Sequence, residues 1–370
     1  MSSTITTAAT EYARRPADES YPSVEALVAS AEEDKRLSGE RMYNVRDLQA
    51  VAEGDSVRLR GPRGVATFTN WAFGQICRMV GAPARYLAEL PAALAASCLN
   101  HGFSDGATSG DAVLLVKAPN GRPLPTIRAA TSDSYGRVWD ADLYGAIART
   151  FEPETGQRWS LPPVWGGGVA GAYRGDRDSF LILTDGGSIV TDPTLTGGGG
   201  GNDSQMYRGI MVRNSEVGAA SVQIETVLYR YICGNHMLWG ASIASQYRRR
   251  HVGTKVLRDT VREIGRIARA WAERPASVDE EMIRQMAKHE IAHSEAAVVS
   301  ELQKLGATKA QAAAAYKSAE LHESASPRSF WGAAQGLTRV SQESSYQDAR
   351  LQLDRVAGAV LARAARRVAA

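Results

Sequence analysis

Short runs of alternating apolar and polar residues occupy the middle of the chain, and turn residues separate them. Pairs such as Asn120-Gly121 and Gly175-Asp176 are typical of tight turns between neighbouring strands. The runs are too closely spaced to leave room for crossover helices, so they predict an antiparallel meander. The strand-like runs span residues 57–69 around a turn at 61–64, then 112–118, 126–130, 169–173, 180–183, 207–213 and 221–233.

A different periodicity begins after Gly253, where apolar residues recur at steps of three and four. At this spacing Leu257, Val261, Ile264 and Trp271 fall on one face of a helix. Alanine-rich helical segments then continue to the C-terminus. Together the two patterns predict an α+β fold, with an antiparallel sheet packed by helices and a helical C-terminal region.

The first forty residues are rich in Ser, Thr, Ala and acidic residues, and they lack sustained apolar periodicity. They predict a flexible arm with one short helix at most. At 370 residues the chain also exceeds the usual size of a single domain. We therefore expect an arm at 1–40, an α+β core at 41–253, and a helical region at 254–370 that packs on the core.

Composition excludes several classes of protein. The three cysteines, Cys77, Cys98 and Cys233, have no CxxC spacing, so neither a disulfide framework nor a cysteine zinc site is expected. No apolar stretch approaches the roughly 18 residues that cross a bilayer. The start of the chain lacks a basic cluster followed by an apolar run. No glycine pattern of a phosphate loop or dinucleotide fold occurs. We expect a cytoplasmic protein with no cofactor and no membrane partner.

The formal net charge of +3 is too small to indicate a partner, but the charges are unevenly distributed. Between Tyr247 and Arg274 the only carboxylates are Asp259, Glu263 and Glu273. Four arginines of the helix in this segment fall within less than a quarter turn, because four-residue steps nearly close one helical turn. The predicted nucleic-acid-binding residues are Arg248, Arg249, Arg250, Lys255, Arg258, Arg262, Arg266 and Arg269.

Guanidinium groups donate paired hydrogen bonds to phosphate oxygens, and each neutralised phosphate releases counterions. The arginine face therefore predicts sequence-independent binding of a nucleic-acid backbone. The alternative is a solvated face whose charges pair with carboxylates elsewhere. Tyr247 or Trp271 could stack on exposed bases, although the apolar pattern favours Trp271 as a core residue.

A second motif, His289-Glu290-Ile291-Ala292-His293, matches the HExxH arrangement of zinc peptidases. On a helix, one turn would bring His289 and His293 to the same side, with Glu290 as general base. Glu320 or His322 is a candidate third ligand. This motif predicts, as an alternative, a zinc-dependent hydrolase, whereas two solvated histidines are the simpler interpretation.

A third candidate is a polar surface between strand-like runs. It comprises Arg213, Asn214, Glu216, Arg230 and Asn235. These side chains are unusually polar for a pure core, but turn formation would also account for Asn214.

The blocks RNSEVG at 213–218 and YRYICGN at 229–235, then FWG at 330–332 with Thr338, resemble a phage- and plasmid-associated family, domain of unknown function 932. Weaker resemblance begins near Tyr43 and includes ATSDSY at 130–135. The resemblance implies work on DNA for a mobile genetic element, without implying a reaction.

The leading functional hypothesis is a non-catalytic nucleic-acid-binding protein of such an element. A meander beside basic helices is analogous to single-strand annealing proteins, which favours single-strand binding or annealing only at the level of fold. A structural or partner-binding phage protein is a further alternative. The sequence leaves open whether the DNA is single- or double-stranded, and whether the chain forms a homo-oligomer.

Overall fold

A computed structural model describes most of the chain in ten segments. They are residues 19–105, 110–119, 121, 123–151, 159–162, 171–195, 204–230, 235–238, 246–343 and 347–368. The first part contains α1 (Val24–Leu37), β1 (Ser38–Asn44), β2 (Gln49–Glu53), β3 (Ser56–Gly61), β4 (Gly64–Phe68), α2 (Asn70–Met79), α3 (Ala84–Glu89), α4 (Ala92–Asp105), β5 (Asp111–Lys117) and β6 (Thr126–Thr131).

The second part begins with α5 (Asp140–Thr150), β7 (Trp159–Ser160), β8 (Ala172–Arg174), β9 (Ser179–Thr191), β10 (Gln205–Asn214), β11 (Val222–Arg230), β12 (Asn235–Leu238) and β13 (Gln246–Arg249). Six helices follow: α6 (Val256–Ala272), α7 (Ala276–Lys288), α8 (Glu295–Lys304), α9 (Lys309–His322), α10 (Phe330–Glu343) and α11 (Gln347–Val368).

The smaller sheet has six strands in the order β1-β5-β6-β4-β3-β2, and only β4 and β6 run parallel. Its hairpin between β3 and β4 turns at residues 61–64, as the alternating pattern predicts. Helices α2 and α4 cover one face, where Phe73, Ile76 and Leu99 are buried against strand residues such as Leu59. This sheet therefore has an apolar core of its own.

The larger sheet has the order β12-β11-β10-β9-β7, with β13 also paired to β11 and β8 paired to β9. Strands β9, β10 and β11 form a continuous antiparallel meander, as predicted. Strand residues such as Ile210 and Ile224 share one core with residues of the C-terminal helices, including Trp331 and Val360. Burial of this shared apolar surface from water attaches the helices to the sheet. The α+β fold with a helical C-terminal region is confirmed.

The predicted arm is partly folded. Ser23 caps α1 by accepting a hydrogen bond from the Ala26 amide, and Leu27 and Ala31 of this helix are fully buried. Leu27 joins the core of the larger sheet. The prediction for residues 1–18 lies outside the described residues. The proposed division into three regions stays a prediction.

The described helices include none that is both long enough and apolar enough to cross a membrane.

Candidate nucleic-acid interface

Helix α6 presents its arginines to solvent because its opposite side is apolar. Ile264, Ala268 and Trp271 are buried in the core of the larger sheet. Steps of four, four and three residues place Arg258, Arg262, Arg266 and Arg269 on the other side, and all four are exposed. We call these four residues the ridge. The structure thus brings them together on one accessible side of a helix.

Two carboxylates of the same helix neutralise part of the ridge. Arg266 pairs with Glu263 at 2.8 Å, and Arg258 approaches Asp259 at 3.5 Å. Among the described residues, neither Arg262 nor Arg269 has an ion pair. The arginine of each pair is exposed, and ion pairs at the protein surface contribute only about 0–1 kcal/mol each, so a phosphate can compete for these arginines. The ridge therefore keeps an excess of positive charge.

The basic residues of β13, the strand that precedes α6, point to two opposite faces of the sheet. Tyr247 and Arg249 point to the side on which α6 packs, since the Tyr247 hydroxyl lies 3.3 Å from Thr260 Oγ1 and Arg249 pairs with Asp259 at 2.8 Å. Successive residues of a strand alternate between faces. Arg248 accordingly points to the opposite face, where its Nε donates to Ser221 Oγ. Arg249 extends the ridge, whereas Arg248 does not.

The loop between β13 and α6 carries further charge and is anchored to the rest of the fold. Arg250 and Lys255 are exposed. Gly136 packs so closely on Gly253 that a Cβ at position 136 would lie 2.1 Å from the Gly253 carbonyl oxygen. The Gly136 amide also donates to the His251 carbonyl at 3.0 Å. This loop therefore holds two basic side chains next to the ridge.

His251 adds no charge to this surface at neutral pH. It is buried and stacks on Tyr135, with ring centroids 5.1 Å apart. Burial lowers the pKa of His251 to about 4, because the charged form loses its hydration. The ring packs as a neutral group.

Trp271 belongs to the core and is not available for stacking on bases. It is 4% exposed, and the Arg208 guanidinium lies 5.0 Å from its ring centroid. Arg208 itself pairs with buried Asp279 at 2.5 Å. The prediction from the apolar spacing, that Trp271 is a core residue, is confirmed.

The zinc motif is not helical, so His289 and His293 are not one helical turn apart as the hydrolase alternative expects. Helix α7 ends at Lys288, and His289 adopts an extended backbone. The segment after it pairs with residues 328–330, since the Ile291 amide donates to Arg328 and the Phe330 amide donates to His289. This backbone pairing with residues 328–330 keeps the start of the motif extended. The motif therefore lacks the helical arrangement that a zinc site of this type requires.

The side chains of the motif have other partners. His289 Nδ1 lies 2.8 Å from the Gln285 carbonyl oxygen, and Glu290 pairs with Arg328 at 3.2 Å. His293 is 96% exposed beside Glu290, and Glu320 is exposed on α9. In the part of the chain that is described, no group of three His, Cys, Asp or Glu residues could hold a metal ion.

Two members of the third candidate, Asn214 and Glu216, are buried and do not belong to a surface. Glu216 pairs with Arg128 at 2.9 Å, and its Oε1 accepts from the Asp140 amide at 2.9 Å. Asn214 donates to Asp140 Oδ1 at 2.7 Å. Buried polar groups that have partners stabilise one arrangement of the chain. The polar block at 213–218 is thus structural at these two positions.

Arg174 extends this buried network. It pairs with Asp140 at 3.2 Å and with Asp34 of α1 at 2.7 Å. Asp34 also binds Lys117 of β5. Arg128 and Lys117 belong to the smaller sheet and Arg174 to the larger, so the network joins the two sheets. We call Asp34, Lys117, Arg128, Asp140, Arg174 and Glu216 the charge network; Asp34 and Lys117 are half-buried and the other four are buried.

The pKa values of two carboxylates of this network shift in opposite directions. Burial, followed by the nearby charge of Glu216, raises the pKa of Asp140 to about 6. Burial alone would also raise the pKa of Asp34, but Arg174 and Lys117 outweigh it and hold the pKa below its usual value. The surroundings therefore disfavour the charged form of Asp140 and favour the charged form of Asp34.

The other members of the third candidate lie on the strands. Arg213 Nε donates to Asp178 Oδ2 at 3.0 Å. Arg230 and Asn235 are register partners on β11 and β12. Two residues that sequence reasoning did not identify, Arg128 and Arg174, become relevant only when distant elements are brought together.

Comparison with known proteins gives one match. The model of a family described as "Domain of unknown function (DUF932)" matches residues 165–360, just over half of the chain. No curated protein and no solved structure matches the chain. The matched region contains the meander of the larger sheet, the ridge, helices α7 to α10 and the first part of α11.

Proposed function

We propose that this chain, which belongs to the family described as domain of unknown function 932, is a non-catalytic nucleic-acid-binding protein. The observation that carries the proposal is the pair Arg262 and Arg269, both exposed and both without an ion pair among the described residues. Arg249, Arg250 and Lys255 extend the same basic surface. We further propose that it acts in the cytoplasm on the DNA of a phage or plasmid-like element.

The physical basis of the proposal is release of counterions. A polyanion that meets the ridge replaces condensed cations with guanidinium groups, and the released cations provide a favourable entropy. Guanidinium groups also donate in pairs to phosphate oxygens. Phosphate contacts carry no sequence information, so the proposed binding is independent of sequence.

A double charge reversal, Arg262→Glu with Arg269→Glu, tests the proposal. Neither side chain is buried or paired within the described part of the chain, so the variant should keep its fold. Fluorescence anisotropy with a labelled oligonucleotide of about 20 nucleotides would measure binding. We expect the affinity at about 100 mM salt to fall by at least tenfold, since two phosphate contacts become repulsive.

The matched control is Arg85→Glu on α3, whose side chain is 98% exposed. Together with a second reversal at the exposed Arg46 it gives the same change in net charge away from the ridge. We expect this control to bind within about threefold of wild type, because long-range charge effects are screened within about 10 Å. Equal losses in both double variants would contradict binding at the ridge.

A further inference from the structure

A cavity of about 290 Å³ lies where the smaller sheet meets the larger one. Helix α2 and the end of β6 form one side, and the turn after β10 forms the other. Small-molecule sites are frequent at such junctions and have volumes of about 300–1,000 Å³, so this cavity has room for one small group. Its lining includes Gln75, Arg78, Met79, Thr131, Ser132 and Gly218.

Hydrogen bonds between the two sheets hold the walls of the cavity in place. Gln75 Nε2 donates to the Val217 carbonyl at 2.8 Å, and Gln75 Oε1 accepts from the Ala130 amide at 3.0 Å. Tyr135 also lines the cavity, and its hydroxyl donates to the Ser215 carbonyl at 2.8 Å. These side chains are fixed by bonds to backbone groups, so the cavity is formed before a ligand arrives.

The lining of the cavity combines a cation, hydroxyl groups and an apolar wall. Arg78 is exposed, and it has no ion pair within the part of the chain that the structure describes. The nearby carboxylate of Asp133 is exposed and does not line the cavity. Thr131 and Ser132 supply hydroxyl groups, and Met79 supplies an apolar side chain. A planar ring with hydrogen-bonding edges and an attached phosphate matches all three features, because guanidinium groups bind phosphate oxygens in pairs.

The cavity adjoins the basic loop between β13 and α6. Tyr135 forms an isolated β-bridge with Val252 of this loop and stacks on His251. Val252 is 60% exposed, and it lies in sequence between the exposed cations Arg250 and Lys255. The same tyrosine therefore contacts both the cavity and the loop that extends the proposed nucleic-acid interface.

We infer that the cavity binds one unpaired nucleotide of a nucleic-acid single strand, with the base between α2 and β6 and the phosphate on Arg78. This inference rests on the proposed function and names its substrate class. In a duplex the bases are paired and stacked, so none can enter the cavity unless it is first extruded. A single strand presents its bases freely, and its other phosphates remain available to the ridge.

The test compares two single strands of about 20 nucleotides, one of thymidine and one abasic, by fluorescence anisotropy. The abasic strand has the same phosphates but no bases, so the ratio of the two affinities measures base binding alone. We expect wild-type protein to bind the thymidine strand about five- to tenfold more tightly.

Ser132→Trp would fill the mouth of the cavity at an exposed position, and Ser97→Trp on α4, also exposed, is the matched control. We expect Ser132→Trp to bind both strands with equal affinity, whereas Ser97→Trp keeps the wild-type ratio. Equal thermal unfolding of the two variants would verify their folding. A second variant, Arg78→Gln, should weaken binding of both strands about threefold, against less than about 1.5-fold for Arg85→Gln.

The outcomes separate this inference from the proposed function. A wild-type ratio in Ser132→Trp, or an equal loss for both strands, would overturn the base site even if the ridge binds nucleic acid. An unchanged affinity in Arg78→Gln would overturn the assignment of the phosphate. Thymidine monophosphate that displaces the thymidine strand at equal concentration would show a site for a free nucleotide instead. Reversal of Arg262 and Arg269 should weaken both strands and keep their ratio; wild-type protein that binds neither strand would overturn the proposed function itself.

Discussion

Glu216 offers the sharpest test of how the two sheets are held together. Its side chain is 2% exposed, pairs with Arg128 at 2.9 Å, lies 3.7 Å from Arg174, and accepts from the Asp140 amide. Glu216→Ala would remove the carboxylate and leave two buried guanidinium groups near each other. Removing one partner of a buried pair costs about 3–5 kcal/mol. We expect the free energy of unfolding to fall by that amount.

The assay is urea unfolding followed by tryptophan fluorescence, with Glu89→Ala as the matched control. Glu89 is 61% exposed and lies 3.8 Å from Arg85, so its loss should cost less than about 0.5 kcal/mol. A Glu216→Ala protein within about 1 kcal/mol of wild type would refute the reasoning. It would mean that solvent or a shift of the chain replaces the carboxylate.

Two further predictions concern the free energy of unfolding. The pKa of Asp140 is raised to about 6 in the folded chain from an ordinary value of 3.8. The folded state therefore holds this proton more tightly than the unfolded state, and the resulting stability is present below about pH 4 and lost as pH rises through 6. Measured between pH 4 and 7, the unfolding free energy should fall less in Asp140→Asn than in wild type; an identical pH dependence would contradict the raised pKa. Gly136→Ala would place a Cβ 2.1 Å from the Gly253 oxygen and should destabilise by about 1–3 kcal/mol, whereas Gly74→Ala, inside α2 with open space, should stabilise by about 0.5–1 kcal/mol. Thermal unfolding of the two variants would show opposite shifts, and shifts of the same sign would count against the close packing.

The sequence predicts what depends on neighbours along the chain. The four-residue spacing of Arg258 and Arg262 is enough to place them on one side of a helix, and the apolar spacing is enough to bury Trp271. The meander follows from alternating runs and turn residues. Each of these features depends only on local periodicity. The structure confirms the arginine side of α6, the burial of Trp271 and the meander.

Features that depend on tertiary contacts could not be predicted in this way. Glu216 meets Arg128 across 88 residues, and Arg174 meets Asp34 across 140. No periodicity links such positions, so the polar block at 213–218 suggested a surface. The motif beginning at His289 satisfied a helical spacing, but pairing with residues 328–330 extends the chain there.

The salt dependence of binding tests the central claim most directly. For a single-stranded oligonucleotide, the logarithm of the association constant should fall linearly with the logarithm of salt concentration, by about 0.7 for each phosphate that the protein neutralises. We predict that reversing Arg262 and Arg269 together reduces this slope by about 1.4. A slope that is unchanged in the double variant would contradict a phosphate-binding ridge on α6.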